Sequence, residues 1–117
     1  MDKKRAEAVS EIMAAKEALA IICYTKHQTK HRISCARLSE ILKIPVNRIK
    51  ETCASLEGLG VVKTEKMGVD TEVTLVEHEN DEIKKVIDEA IWENRQEYGK
   101  IYKKIMTAEL LDFMGDR

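Results

Sequence analysis

Apolar residues recur at Val9, Ile12, Met13, Leu19, Ala20 and Cys23 at the spacing of one helix face, which predicts a helix from Arg5 to about Thr25. Its second half, Ala18-Leu19-Ala20-Ile21-Ile22-Cys23, is apolar nearly all round. Such a segment is either covered on several sides within its own chain or offers a second face to a partner. A polar, basic connection from Lys26 to Arg32 follows, and Ile33 stands as a single extended residue before Ser34. Serine there suits a helix start, because its hydroxyl accepts from a backbone N–H of the first turn. The short helix so opened, 35–43, carries Leu38, Ile41 and Leu42 on one face. Lys43-Ile44-Pro45 closes it, since proline disfavours helix in the residue before it and suits the start of the next. That next helix is expected from about Val46 to Leu59, with an apolar stripe of Val46, Ile49, Cys53, Leu56 and Leu59 and with Gly60 as its stop.

After Gly60 the period changes. Residues 61–65 and 71–76 are rich in β-branched side chains, and Lys66-Met67-Gly68-Val69-Asp70 lies between them, so a β-hairpin is predicted. Asn80 or Asp81 then caps a final helix over 80–114. Its stripe is Ile83, Ile87, Ala90, Asn94, Tyr98, Ile101, Ile105 and Ala108, close to a coiled-coil seam. A helix of about 33 residues spans about 50 Å, longer than a small domain is wide. Its overhang predicts a homodimer through the first and last helices, with that stripe as the interface and Asn94 either fixing register or, more plainly, exposed. The alternative is a hairpin folded back within one chain and broken near Gly99.

The chain has 117 residues, enough for one domain over 1–117, with 18–76 as its compact part. Apolar residues are 44% and charged residues 35%, a globular composition. Five glycines and one proline leave few turns, so the fold class expected is α+β, mostly α. No apolar run approaches the ~20 residues that span a bilayer. With three cysteines in no paired spacing, a reducing, cytoplasmic location is expected. The net charge of −1 conceals a gradient: residues 1–22 balance to zero, 23–66 carry +5 and 67–117 carry −6. The basic middle reopens a polyanion partner that the total argues against.

The order helix, extended residue, two short helices around a tight turn, hairpin and long helix is that of a helix-turn-helix followed by a wing. The stretch Ile33-Ser34-Cys35-Ala36-Arg37-Leu38-Ser39-Glu40-Ile41-Leu42-Lys43-Ile44-Pro45-Val46-Asn47-Arg48-Ile49-Lys50 resembles winged-helix transcriptional regulators, and so does Leu56-Glu57-Gly58-Leu59-Gly60-Val61-Val62. The resemblance is to the Rrf2-like and MarR-like groups. The iron–sulfur members of the former carry cysteines in or after the wing, whereas this chain has none after Cys53. Independently of that likeness, the helix from Val46 carries Asn47, Arg48, Lys50, Glu51, Thr52 and Ser55 away from its apolar stripe. Asparagine and arginine read purine edges, and recognition helices lead with their N-terminal residues. Lys63 and Lys66 flank the hairpin tip, and Lys26, Lys30, Arg32 and Arg37 offer phosphate contacts. The function expected is a homodimeric, sequence-specific, duplex-DNA-binding transcriptional regulator. The alternative is a winged-helix protein-interaction module of a larger transcription or replication assembly.

Other signals are sparser. Cys23, His27, His31 and Cys35 recur every four residues and are all potential metal ligands. One continuous helix spreads them too far around its axis to converge, whereas a break near residues 28–32 lets them converge; the spacing is not a recognised finger pattern, so the plainer expectation is no metal and no cofactor. Cys53 lies on the inner face of the recognition helix, where oxidation disturbs packing. His78, between two glutamates, is a potential pH reporter or simply the end of a strand. Trp92, Tyr98, Tyr102 and Phe113 are read as packing residues. No phosphate loop, nucleophile elbow or zinc-protease motif is present, so no enzyme is expected. A small-molecule effector, if used, is expected at the dimer interface or between the DNA-binding part and the last helix.

Overall fold

Each of the two long helices expected from periodicity is broken once. The computed structural model describes residues 3–76 and 80–115, with the side chains of Thr29 and 108–115 outside the description. Helix α1 runs Lys3–Met13 and α2 Lys16–Lys26. Between them Ala15 is extended, at φ −74 and ψ 131. A one-turn 3-10 segment, Thr29–His31, leads into strand β1, Arg32–Ser34. Helices α3, Cys35–Leu42, and α4, Val46–Gly58, form the helix-turn-helix. Strands β2, Val62–Met67, and β3, Asp70–Leu75, form the wing. Helices α5, Asp81–Glu93, and α6, Arg95–Gly115, complete the fold.

The sheet is three-stranded and antiparallel in the order β1-β3-β2. Ile33 pairs with Val73, which pairs with Thr64, and Ile33 and Val73 are buried in the core. What reads in sequence as one extended residue at Ile33 is therefore a short third strand on the hairpin. The hairpin loop is also tighter than its sequence suggests: β2 and β3 extend to Met67 and Asp70, leaving Gly68 and Val69 at the tip.

Helix α2 occupies the centre. Ala18 through Thr25 are all buried, which answers the question raised by its all-round apolar surface: its own chain covers it. Thr25, the polar member, donates its hydroxyl to the Ile21 carbonyl at 2.7 Å. Helix α6 packs along α2, and α5 packs along α1, whose inner residues are Val9 and Met13. These different partners explain the break between α5 and α6. It falls at Asn94 (φ −111, ψ 27), not at Gly99, and the Asn94 amide donates back to the Ala90 carbonyl at 2.9 Å.

This packing corrects the expected dimer seam. Ile83, Ile87, Ala90, Ile101 and Ile105 are each at most 7% exposed within one chain. Asn94 and Tyr98 are half-buried, and Asn94 ends a helix instead of setting register. The side chain of Ala108 lies outside the description. The stripe is the inner face of the chain's own core, because the bend at Asn94 lets both halves fold back onto α1 and α2.

Candidate nucleic-acid interface

Local hydrogen bonds fix the helix-turn-helix at each end. Ser34 caps α3 by accepting from the Arg37 N–H at 3.1 Å. Asp70, beside the wing tip, adds a contact by accepting from the Ala36 N–H at 3.3 Å. Helix α3 ends at Lys43 in the left-handed region (φ 59), while Ser39 Oγ donates to the Ile44 carbonyl at 2.6 Å. Pro45 precedes the first residue of α4, as expected. At the far end the Gly60 N–H bonds the Glu57 carbonyl and the Val61 N–H bonds the Leu56 carbonyl, a Schellman closure with Gly60 at φ 79.

Two longer-range contacts hold α4 in place, and neither is visible in the sequence. Arg5 of α1 donates Nε to the Leu59 carbonyl at 2.8 Å, putting a cation at the negative end of the helix. Glu57 accepts from the Thr64 N–H at 2.7 Å and from its hydroxyl at 3.0 Å, joining α4 to β2.

Opposite the buried stripe of Ile49, Cys53 and Leu56, at ~100° per residue, lie Asn47, Glu51, Ala54 and Gly58. Arg48, Thr52 and Ser55 occupy the flank beside the start of α2. The Arg48 guanidinium is ion-paired with Glu17 of α2. Lys50 lies on the other flank, close enough to Asp70 to favour its ionised form. That carboxyl is held below its usual range mainly by the Thr71 N–H, against a desolvation penalty, and further by the Ala36 N–H and the Ser34 side chain.

The remaining cations do not form one patch. Arg32 pairs with Glu72 at 3.3 Å across the sheet, and Arg37 with Glu40 at 3.5 Å. Lys26 pairs with Asp88 of α5 at 3.8 Å. Lys63 and Lys66 are both exposed, but three residues apart in one strand they project from opposite faces of the wing. Lys30 is exposed in the turn before β1, at φ 60. Val69, at the wing tip, is fully exposed.

The four potential metal ligands of the sequence, Cys23, His27, His31 and Cys35, are not gathered. Cys23 and Cys35 are buried, and His27 donates Nδ1 to the Cys23 carbonyl at 2.8 Å while its ring lies 4.7 Å from that of Tyr102. Among the described residues no group of three histidines, cysteines or carboxylates is placed to hold a metal. Burial pushes the Cys23 thiol up to about 11, partly offset by a hydrogen bond with Tyr98. Cys35 and Cys53 share a thiol–thiol hydrogen bond across α3 and α4, which lowers Cys35 and, with burial, raises Cys53. Of the aromatic residues, Tyr98 packs against the core, whereas Trp92 is 67% exposed beneath the Arg95 guanidinium. His78 and the Phe113 side chain lie outside the described residues.

No protein-family model and no curated protein matches the sequence. Among solved structures the chain is similar to HlyU from Vibrio cholerae N16961, at 25% identity and a TM-score of 0.61, covering 78% of this chain and 95% of that one. It is also similar to reduced HlyU from the same organism, at 24% identity and a TM-score of 0.59, covering 75% and 86%. The chain has the α+β winged helix-turn-helix fold of a transcriptional regulator.

Proposed function

We propose that this chain is a sequence-specific transcriptional regulator, without enzymatic activity, that binds duplex DNA as a homodimer. The observation that carries the reading is α4: a helix pinned at both ends that presents Asn47 and Glu51 outward, with Lys50 and Arg48 on its two flanks. Asn47 and Lys50 are the base readers in this reading, and Glu51 selects among base edges by accepting from cytosine. Arg48 has two roles, an ion pair with Glu17 and a contact to DNA. Lys30, Arg32, Arg37, Lys63 and Lys66 supply phosphate contacts, Arg32 and Arg37 by exchanging their carboxylate partners for phosphate. Thr52 and Ser55 lie further along the same helix, nearer α2.

With the α5–α6 stripe used internally, the homodimer in this reading closes on the outer side of those helices. Trp92, Tyr102 and Met106 are 67%, 37% and 45% exposed there. The resemblance of residues 33–50 and 56–62 supports an Rrf2-like or MarR-like grouping within the fold. The location in this reading is the cytoplasm, and no helix among the described residues is long and apolar enough to cross a membrane.

The test is a fluorescence-anisotropy titration of genomic duplex fragments at two salt concentrations. Binding is expected to weaken steeply with salt through counterion release. Asn47→Ala with Lys50→Ala is expected to cost about 1–3 kcal/mol for each base-edge interaction removed. Absence of binding at low salt by a folded dimer moves the reading to a protein-interaction module, and a monomer in sedimentation removes the dimer.

A further inference from the structure

A groove of about 580 Å³ opens between α2, the turn of the helix-turn-helix and α6. This lies within the range of small-molecule sites, roughly 300–1,000 Å³. Its floor is apolar: Ala20 from α2, Ile41, Leu42 and Ile44 from the turn, and Ile101 and Ile105 from α6. Its mouth is cationic. Lys16, Lys43 and Lys104 stand around it, with Glu17 as the acid among them. That acid is engaged elsewhere, by Arg48. Lys16 has a partner outside the lining, Glu97 at 3.5 Å. Among the described residues Lys43 and Lys104 form no ion pair.

An apolar floor beneath a mouth with two lysines that form no ion pair among the described residues selects a ligand with an apolar body and one anionic head. The lining contains no arginine fork of the kind that grips phosphate bidentately, whereas two ammonium groups suit a carboxylate.

We propose that this groove is a binding site for a small amphipathic carboxylate, its head between Lys43 and Lys104 and its apolar body along Ile41, Ile44 and Ile101. The site stands apart from the DNA-binding reading, since nothing in its lining depends on DNA. Its position nevertheless matters to that reading. One wall is the Lys43-Ile44-Pro45 turn that sets the start of α4, and the adjacent wall carries Glu17, which holds Arg48.

The test is calorimetric titration with decanoate below its micellar concentration, together with methyl NMR of the isoleucines. One decanoate per chain is expected, with shift changes at Ile41, Ile44 and Ile101. Lys43→Gln with Lys104→Gln removes two exposed charges and keeps the side-chain stems, so the fold is not at stake. It is expected to weaken decanoate about tenfold, the sum of two surface charge contacts. Decyltrimethylammonium, with the same tail and the opposite charge, is expected to bind at least about tenfold more weakly than decanoate. The proposal is overturned by absence of saturable binding, by unchanged decanoate affinity in the double variant, by equal binding of the cation, or by shift changes confined to other isoleucines.

Discussion

The helix-turn-helix and the terminal helices both advertise an apolar stripe in sequence, yet they are built on different grounds. In the first, every boundary has a nearby cause: Ser34 caps α3, Pro45 opens α4 and Gly60 closes it. In the second, Asn80 caps the start by accepting from the Glu82 and Ile83 N–H groups, at 3.0 and 3.2 Å. The break at Asn94, in contrast, follows from α5 lying on α1 while α6 lies on α2. A stripe says that a face is buried. It does not say whether the covering surface belongs to the same chain.

The sharpest way to break this contrast is at Ile87, fully buried in α5. Ile87→Ala is expected to cost about 2–5 kcal/mol of unfolding free energy, from reduced burial and the cavity left. Urea denaturation at two protein concentrations about tenfold apart should give the same loss, because the residue is covered within its own chain. A loss that shrinks on dilution, as the parent's own dimer contribution disappears, restores the seam as an interface between copies.

Gly60 tests the other region. Gly60→Ala places a Cβ in a left-handed conformation at φ 79 and displaces the Arg5 guanidinium lying over it. The cost expected in thermal or urea unfolding is about 1–3 kcal/mol. A neutral outcome shows that the closure of α4 does not need glycine.

The two caps compare the regions directly. Ser34→Ala and Asn80→Ala are each expected to cost about 1 kcal/mol in urea unfolding. An Asn80→Ala loss well below that of Ser34→Ala shows that tertiary packing alone starts α5.

The smallest effect concerns Asp70, whose carboxyl is held below its usual range chiefly by the Thr71 N–H. A lowered folded value means the stabilisation is present above the unfolded carboxyl range near about pH 4 and is lost as pH falls through the folded value. Stability measured from pH 5 down to pH 2 should therefore fall less steeply in Asp70→Asn than in the parent. An identical acid limb removes Asp70 as a contributor to the junction of wing and α3.

Much of the fold is legible in particular residues. Ser34, Pro45, Gly60 and Asn80 place helix boundaries to within a residue or two, since a cap or a positive φ acts over three to five residues. The stripe Ile49, Cys53 and Leu56 identifies the inner face of α4 for the same reason, helical period being a local property. Three features escape such reading. Strand β1 has only three residues, too few for a period to register. Ala14 and Ala15 are good helix formers, so nothing nearby marks the break there. The candidate interface is reshaped by contacts far apart in sequence: Glu17 takes Arg48 across 31 positions, and Arg5 reaches Leu59 across 54. Which elements exist, where they end and which side of each is apolar come from interactions within a few residues. Which surface each apolar side meets, and which charges are left for a ligand or for DNA, come from packing. Apolar burial has no direction of its own and is satisfied by whichever face the chain brings within reach.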